Sequence, residues 1–168
     1  MKRICLSLSC VLLLAAGLFW LINQLTPRPG GVSGNGNVAL LVMMPLPLLF
    51  ILAFVLWYFI FKKIQPRLPI VAGMLLVLAA GIAAGIYFQQ LWLEEYRQYL
   101  FQVNKELHGY GDWDYIRSIT SSLASPHVNS QYFNGFTYLL FLAATIVAGL
   151  LTYAVRGVTD SRRGKSIE

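Results

Sequence analysis

The sequence predicts an all-α membrane protein: a four-transmembrane-helix bundle with an extracytoplasmic helical cap between spans 3 and 4. Three observations predict it. The 168 residues are 57% hydrophobic and only 12% charged, about half the charge of an ordinary soluble domain. Four stretches, at about 4–22, 38–61, 68–88 and 136–155, contain no Asp, Glu, Lys, Arg or His. Each is close to the roughly 20 residues that a helix needs to cross a bilayer. After the third stretch the pattern changes, and apolar residues recur every three or four positions among charged ones, as on an amphipathic helix.

The first span begins "MKRICLSLSC", a basic start followed by an apolar run that also suits a signal peptide. A signal peptide has a shorter apolar core, of roughly 7–15 residues, and small residues at its cut. Here the run continues through Phe19, Trp20, Leu21 and Ile22 and is followed by Asn23-Gln24-Leu25-Thr26. The expectation is an uncleaved span. Cys5 and Cys10, the two cysteines, fall within it and are read as small packing residues with no metal or redox role.

The net charge of +6 is read through its placement. Nine basic residues, Lys2, Arg3, Lys62, Lys63, Arg67, Arg156, Arg162, Arg163 and Lys165, fall on one side of the four spans. Four, Arg28, Arg97, Lys105 and Arg117, fall on the other. Positive residues collect on the cytoplasmic side, so both termini are expected in the cytoplasm of a multi-pass cell-membrane protein. The basic tail, 156–168, then faces anionic headgroups, and nucleic acid is not an expected partner.

The first outer loop, "TPRPGGVSGNGN", is rich in Pro and Gly and reads as a flexible connector. In the second span, Pro45 and Pro47 each remove a backbone donor, which predicts a helix break in the outer third. In the third span, "AAGIAAGI" sets Gly81 and Gly85 four residues apart. The fourth span offers Ala144–Ala148 and Thr145–Gly149 at the same spacing. Small residues four apart let helix backbones approach closely. Gly81, Gly85, Ala144 and Ala148 are therefore the expected helix-packing or partner face, with spans three and four in mutual contact by default.

Beyond Phe88 the apolar positions thin to Trp92, Tyr96, Tyr99, Leu100, Val103 and Leu107. Nothing between Gly85 and Gly109 breaks a helix, so the third span is expected to continue past the bilayer. Gly109 and Gly111 read as stops. Asp112 is the expected N-cap of a second short helix carrying Trp113, Ile116, Thr120 and Leu123 and ending before Pro126. Trp92, Tyr96 and Trp113 are the expected cap residues, within an outer segment at 89–135.

The residues that suit chemistry are few. His108 with Asp112, four apart and joined by His127, matches no zinc spacing. Glu94 and Glu95 diverge as neighbours on a helix, and Ser118, Ser121 and Ser122 have no evident base. No nucleophile, metal or phosphate-loop motif occurs. The spans lack ionisable residues, which disfavours ion-coupled transport. The reading is a non-enzyme without metal or cofactor: an accessory or interaction subunit of a membrane complex. Its expected partners are the lipid bilayer and either another membrane protein or a second copy. The alternative is a small pore, a holin-like protein or a lipid or solute transporter. Four spans with a larger second outer loop resemble tetraspanins in outline. That loop lacks the family's cysteines, and nothing of the family is implied.

Overall fold

The computed structural model describes residues 1–31 and 36–165, with the side chains of 158–165 outside that description. The chain is 82% helical, with no strand among the described residues. In order it forms α1 (Lys2–Gln24), α2 (Ala39–Met43), α3 (Leu46–Ile64), α4 (Leu68–His108), α5 (Trp113–Thr120), a 3₁₀ turn (Pro126–Val128), α6 (Asn129–Tyr132) and α7 (Gly135–Lys165). Four segments are long and apolar enough to cross a membrane: α1, α2 with α3, α4, and Gly135–Gly157 of α7.

The helix break falls at the prolines. Backbone dihedrals stay helical through Met44, at φ −54° and ψ −37°, so the chain keeps its helical course while the hydrogen-bond ladder stops. Pro45 cannot donate back one turn, and Pro47 falls in the first turn of α3, where no donor is needed. At the other end of α3, Gln65 adopts φ +50° and donates its N–H to the Phe61 carbonyl at 2.8 Å. Pro66 follows, so the helix stops there.

α4 is one uninterrupted helix of 41 residues. At 1.5 Å per residue it measures about 60 Å, twice a bilayer's ~30 Å hydrocarbon core, so a spanning α4 has to emerge from it. Gly109, at φ +78°, closes α4 by donating to the Lys105 carbonyl at 2.9 Å.

Two further elements differ from expectation. α7 continues to Lys165, so the basic stretch begins as helix and not as a separate tail; residues 166–168 lie outside the described residues. The run after α5 is also ordered into the 3₁₀ turn and α6, which the sequence pattern does not announce.

By compactness the chain divides into two units. The first comprises Met1–Ala15, Pro47–Ala83 and Leu139–Glu168. Within it α3 is the hub. Leu8 of α1 packs on Ala53 and Ile60, with Ile4, Val11, Leu12, Leu56 and Trp57 around them. Phe61, Val71 of α4 and Leu150 of α7 form a second cluster with Leu75, Leu78 and Ile146. A close helix approach is at Gly149 of α7. A Cβ added there would lie 2.7 Å from Trp57 Cβ and 3.2 Å from both the Phe54 carbonyl oxygen and the Tyr58 amide nitrogen.

The second unit comprises Ala16–Leu46 and Ala84–Tyr138. It takes in the expected outer segment together with the end of α1, the first loop and α2. Its buried residues include Phe19, Ile22, Leu93, Leu100, Ile116, Val128 and Phe133, with a polar set at Asn37, Gln89, Asn104, Thr120, His127 and Asn129.

Candidate functional site

The described residues of the second unit carry most of the long-range polar side-chain contacts, and they are assembled from amides. Asn37 and Asn129, both buried, exchange hydrogen bonds: Asn37 Nδ2 donates to Asn129 Oδ1 at 3.0 Å, and Asn129 Nδ2 donates to Asn37 Oδ1 at 3.1 Å. Asn37 also donates to the Leu123 carbonyl at 3.3 Å and accepts from the Ala39 N–H at the start of α2. Asn129 donates to the Leu25 carbonyl at 3.4 Å. The pair thus ties the end of α1, the first loop and α6 together. A loop read from composition as a free connector is anchored on both flanks, while residues 32–35 lie outside the described residues.

Other contacts extend this network. Asn23 donates to the Phe133 carbonyl at 2.8 Å. Asn134 caps α7, its Oδ1 accepting from the N–H groups of Phe136 and Thr137 at 3.0 Å each, while the Thr137 hydroxyl accepts from the Asn134 N–H. This reciprocal arrangement satisfies donors that a helix N-terminus otherwise leaves open. Gln89 donates to the Gln131 carbonyl at 2.7 Å, yet its Oε1 is sealed without a partner. An orphaned buried acceptor costs about 1–3 kcal/mol.

Trp92, Tyr96 and Trp113 all make contacts inside this unit. Trp92 meets Phe136 edge to face at 4.7 Å. Tyr96 donates to the His127 carbonyl at 3.0 Å, and burial, with Tyr99 nearby, raises its pKa above the usual phenol value. Trp113 stacks on Phe101 at 4.5 Å. Gly111 lies against that Phe101 ring, which a Cβ at Gly111 would strike. Asp112 caps α5, its Oδ1 accepting from Asp114 N–H at 2.9 Å and Tyr115 N–H at 3.1 Å.

The charged candidates serve structure. Glu94 pairs with Arg97 at 3.1 Å on an exposed surface, a contact worth well under about 1 kcal/mol. Arg97 also donates to Thr120, to its hydroxyl at 2.9 Å and its carbonyl at 3.4 Å, clamping the C-terminus of α5 onto α4. His108 and Asp112 line one pocket, and His127 lines a neighbouring recess. Among the described residues, no group of three or more His, Cys, Asp or Glu is arranged to hold a metal ion.

In the first unit, the close approach expected at Gly81 is found at Gly149 instead. Gly81 is exposed, and a Cβ there would meet nothing within 4 Å; Gly73 is equally open. Gly85, which belongs to the second unit, is buried, and Ala144 and Ala148 are half-buried. Val71 of α4 and Leu150 of α7 share a cluster with Phe61, against which Leu75, Leu78 and Ile146 pack. Small residues four apart permit a close approach but do not choose the helix that makes it, and α7 turns Gly149 to α3. Cys5 and Cys10 are exposed rather than packed.

The first unit's exterior is apolar. Leu13 is 71% exposed, Leu76 74% and Val77 69%. Only 11% of the apolar window of α4 is buried. Soluble monomers rarely leave so much contiguous apolar surface in water, and lipid is the solvent that suits it. No family model, no curated protein and no solved structure matches the chain.

Proposed function

We propose that this is a multi-pass protein of the cell membrane, with both termini cytoplasmic, that serves as an accessory or interaction subunit of a membrane complex. One observation carries the reading: α4 is the least packed of the four apolar helices and has open glycines at Gly73 and Gly81. A helix whose own bundle leaves its small residues uncovered is suited to close packing against another membrane helix. The nine-to-four division of basic residues supports the orientation. The segment 89–135 is then the extracytoplasmic cap.

The test uses the open glycines, because they separate assembly from folding. Native mass spectrometry of the gently extracted protein is expected to find a stoichiometric second protein. In a Gly73→Leu/Gly81→Leu variant the complex is lost while the thermal midpoint of the subunit stays within a few degrees. A lone subunit in the wild type, or a complex indifferent to both substitutions, removes the proposal. The interruption at Met44–Pro45 favours a second reading, a small pore or a lipid or solute transporter, because freed carbonyls at membrane depth suit a cavity lining. That reading requires flux through liposomes holding the pure protein, and tight liposomes end it.

A further inference from the structure

The second unit contains a polar recess with no structural task. It has a volume of about 10 Å³ and is lined by Gly30, Gly31, Leu100, Asn104, Tyr115, Ile116, Ile119 and His127. Asn104 is 8% exposed and His127 5%. Among the described residues neither the Asn104 carboxamide nor the His127 imidazole makes a hydrogen bond. Their polar atoms are also absent from the sealed orphans, which are Trp57 Nε1 and Gln89 Oε1. They are therefore open to the recess they line. Both side chains thus keep unused hydrogen-bonding capacity at the recess they line, which a group entering the recess can use.

A wider vestibule of about 270 Å³ adjoins the recess and shares Gly30, Asn104 and Tyr115 with it; His108, Tyr110 and Asp112 complete its wall. Gly30 makes this geometry possible. Its φ of +77° suits glycine, and a Cβ would collide with the Leu107 side chain on α4.

We propose that recess and vestibule form a binding site for a small uncharged polyhydroxyl ligand of about monosaccharide size, with one hydroxyl seated between Asn104 and His127. The recess has room for about one water-sized group, which a hydroxyl matches. Among the described residues no Lys or Arg lines either chamber, so an anion finds no counter-charge there. Asp112 has already committed Oδ1 to the start of α5. Asn104 offers donors and an acceptor, and a neutral imidazole offers one of each. Burial lowers the His127 pKa from its ordinary value, which keeps that ring neutral at pH 7. A hydroxyl, being donor and acceptor at once, satisfies both. Tyr110 and Tyr115 supply ring faces for the ligand's C–H surface, the mixture of aromatic wall and few polar anchors common to small-molecule sites.

The test is a titration of the full-length protein in detergent, with histidine and asparagine side chains ¹⁵N-labelled, against glucose and N-acetylglucosamine. Choline and inorganic phosphate serve as cationic and anionic probes. A saturable shift of both the Asn104 and His127 signals with at least one sugar is expected. Asn104→Leu abolishes that response and leaves the thermal midpoint nearly unchanged, because the Asn104 carboxamide has no hydrogen-bond partner among the described residues to lose and a group of similar shape replaces it. Tyr110→Ala, at a residue 67% exposed, weakens the response severalfold without affecting the fold. A response to choline or phosphate but to neither sugar overturns the ligand class. No saturable response to any probe overturns the site and leaves a recess that holds an ordered water.

Discussion

In the first unit, helices meet through shape: Gly149 lies on the α3 backbone, Leu8 sits over Ala53, and Phe50 packs edge-on to Phe141 at 5.7 Å. Its long-range side-chain hydrogen bonds include Tyr153 to the Pro66 carbonyl at 3.4 Å and Arg156 to the Tyr58 hydroxyl at 3.3 Å. In the second unit, Asn23, Asn37, Gln89, Tyr96, Arg97 and Asn129 all reach across 23 or more residues to hydrogen-bond partners. The contrast is what two solvents would select. Helices in hydrocarbon gain little by hiding leucine from lipid and so depend on close packing. A segment in water can bury apolar surface and still satisfy its polar groups through amides.

The difference can be broken from either side, and the largest effect is expected in the first unit. Gly149→Leu drives a side chain into Trp57 Cβ and two α3 backbone atoms. Overpacking of this kind costs about 1–3 kcal/mol and more where backbone must move. A thermal midpoint in detergent lowered by many degrees is the expected outcome, while Gly81→Leu, with open space around it, leaves that midpoint where it was.

The next effect belongs to the second unit. Asn129→Leu leaves Asn37 without its reciprocal partner and the Leu25 carbonyl without a donor, a loss of about 1–3 kcal/mol. Hydrogen exchange should accelerate at the start of α2 and around α6 while the amides of α3 stay protected. A smaller change follows from Asp112→Ala, which removes an N-cap worth about 1 kcal/mol, and faster exchange should be confined to the first turn of α5.

The pH response should be the gentlest. His127 has its pKa lowered by burial, so the folded state binds its proton less readily than the unfolded chain does. The contribution is fully present above the unfolded histidine value of about 6.5. It is lost as pH falls from there through the lower folded value. Tyr96 donates to its carbonyl and has its own pKa raised by burial. A thermal midpoint that declines below about pH 6.5 in the wild type, and less so in His127→Gln, is expected.

Much of the helix layout can be read from residue order because its causes are local. The unbroken run from Gly85 to Gly109, the Asp112 cap and the interruption at Pro45 each depend on residues within a turn or two. The site is less legible. Asn37 and Asn129 are 92 residues apart, and nothing in either neighbourhood marks them as a pair. The recess likewise needs Gly30, Asn104 and His127 from three separate stretches. The small-residue spacing at Gly81 and at Gly149 looks alike in sequence. Only the packing of α3 distinguishes the occupied one from the open one.

The central proposal, that the apolar stretch 68–88 of α4 faces lipid while the segment 89–135 faces water, can be tested most directly by cysteine labelling in intact cells. In a background with Cys5 and Cys10 replaced by alanine, single cysteines are placed at Leu76, which is 74% exposed on α4, and at Ser118, exposed on α5. A membrane-impermeant maleimide should label Ser118→Cys from outside and leave Leu76→Cys unreacted even after the membrane is permeabilised. Labelling at Leu76, or labelling at Ser118 only after permeabilisation, would contradict the account.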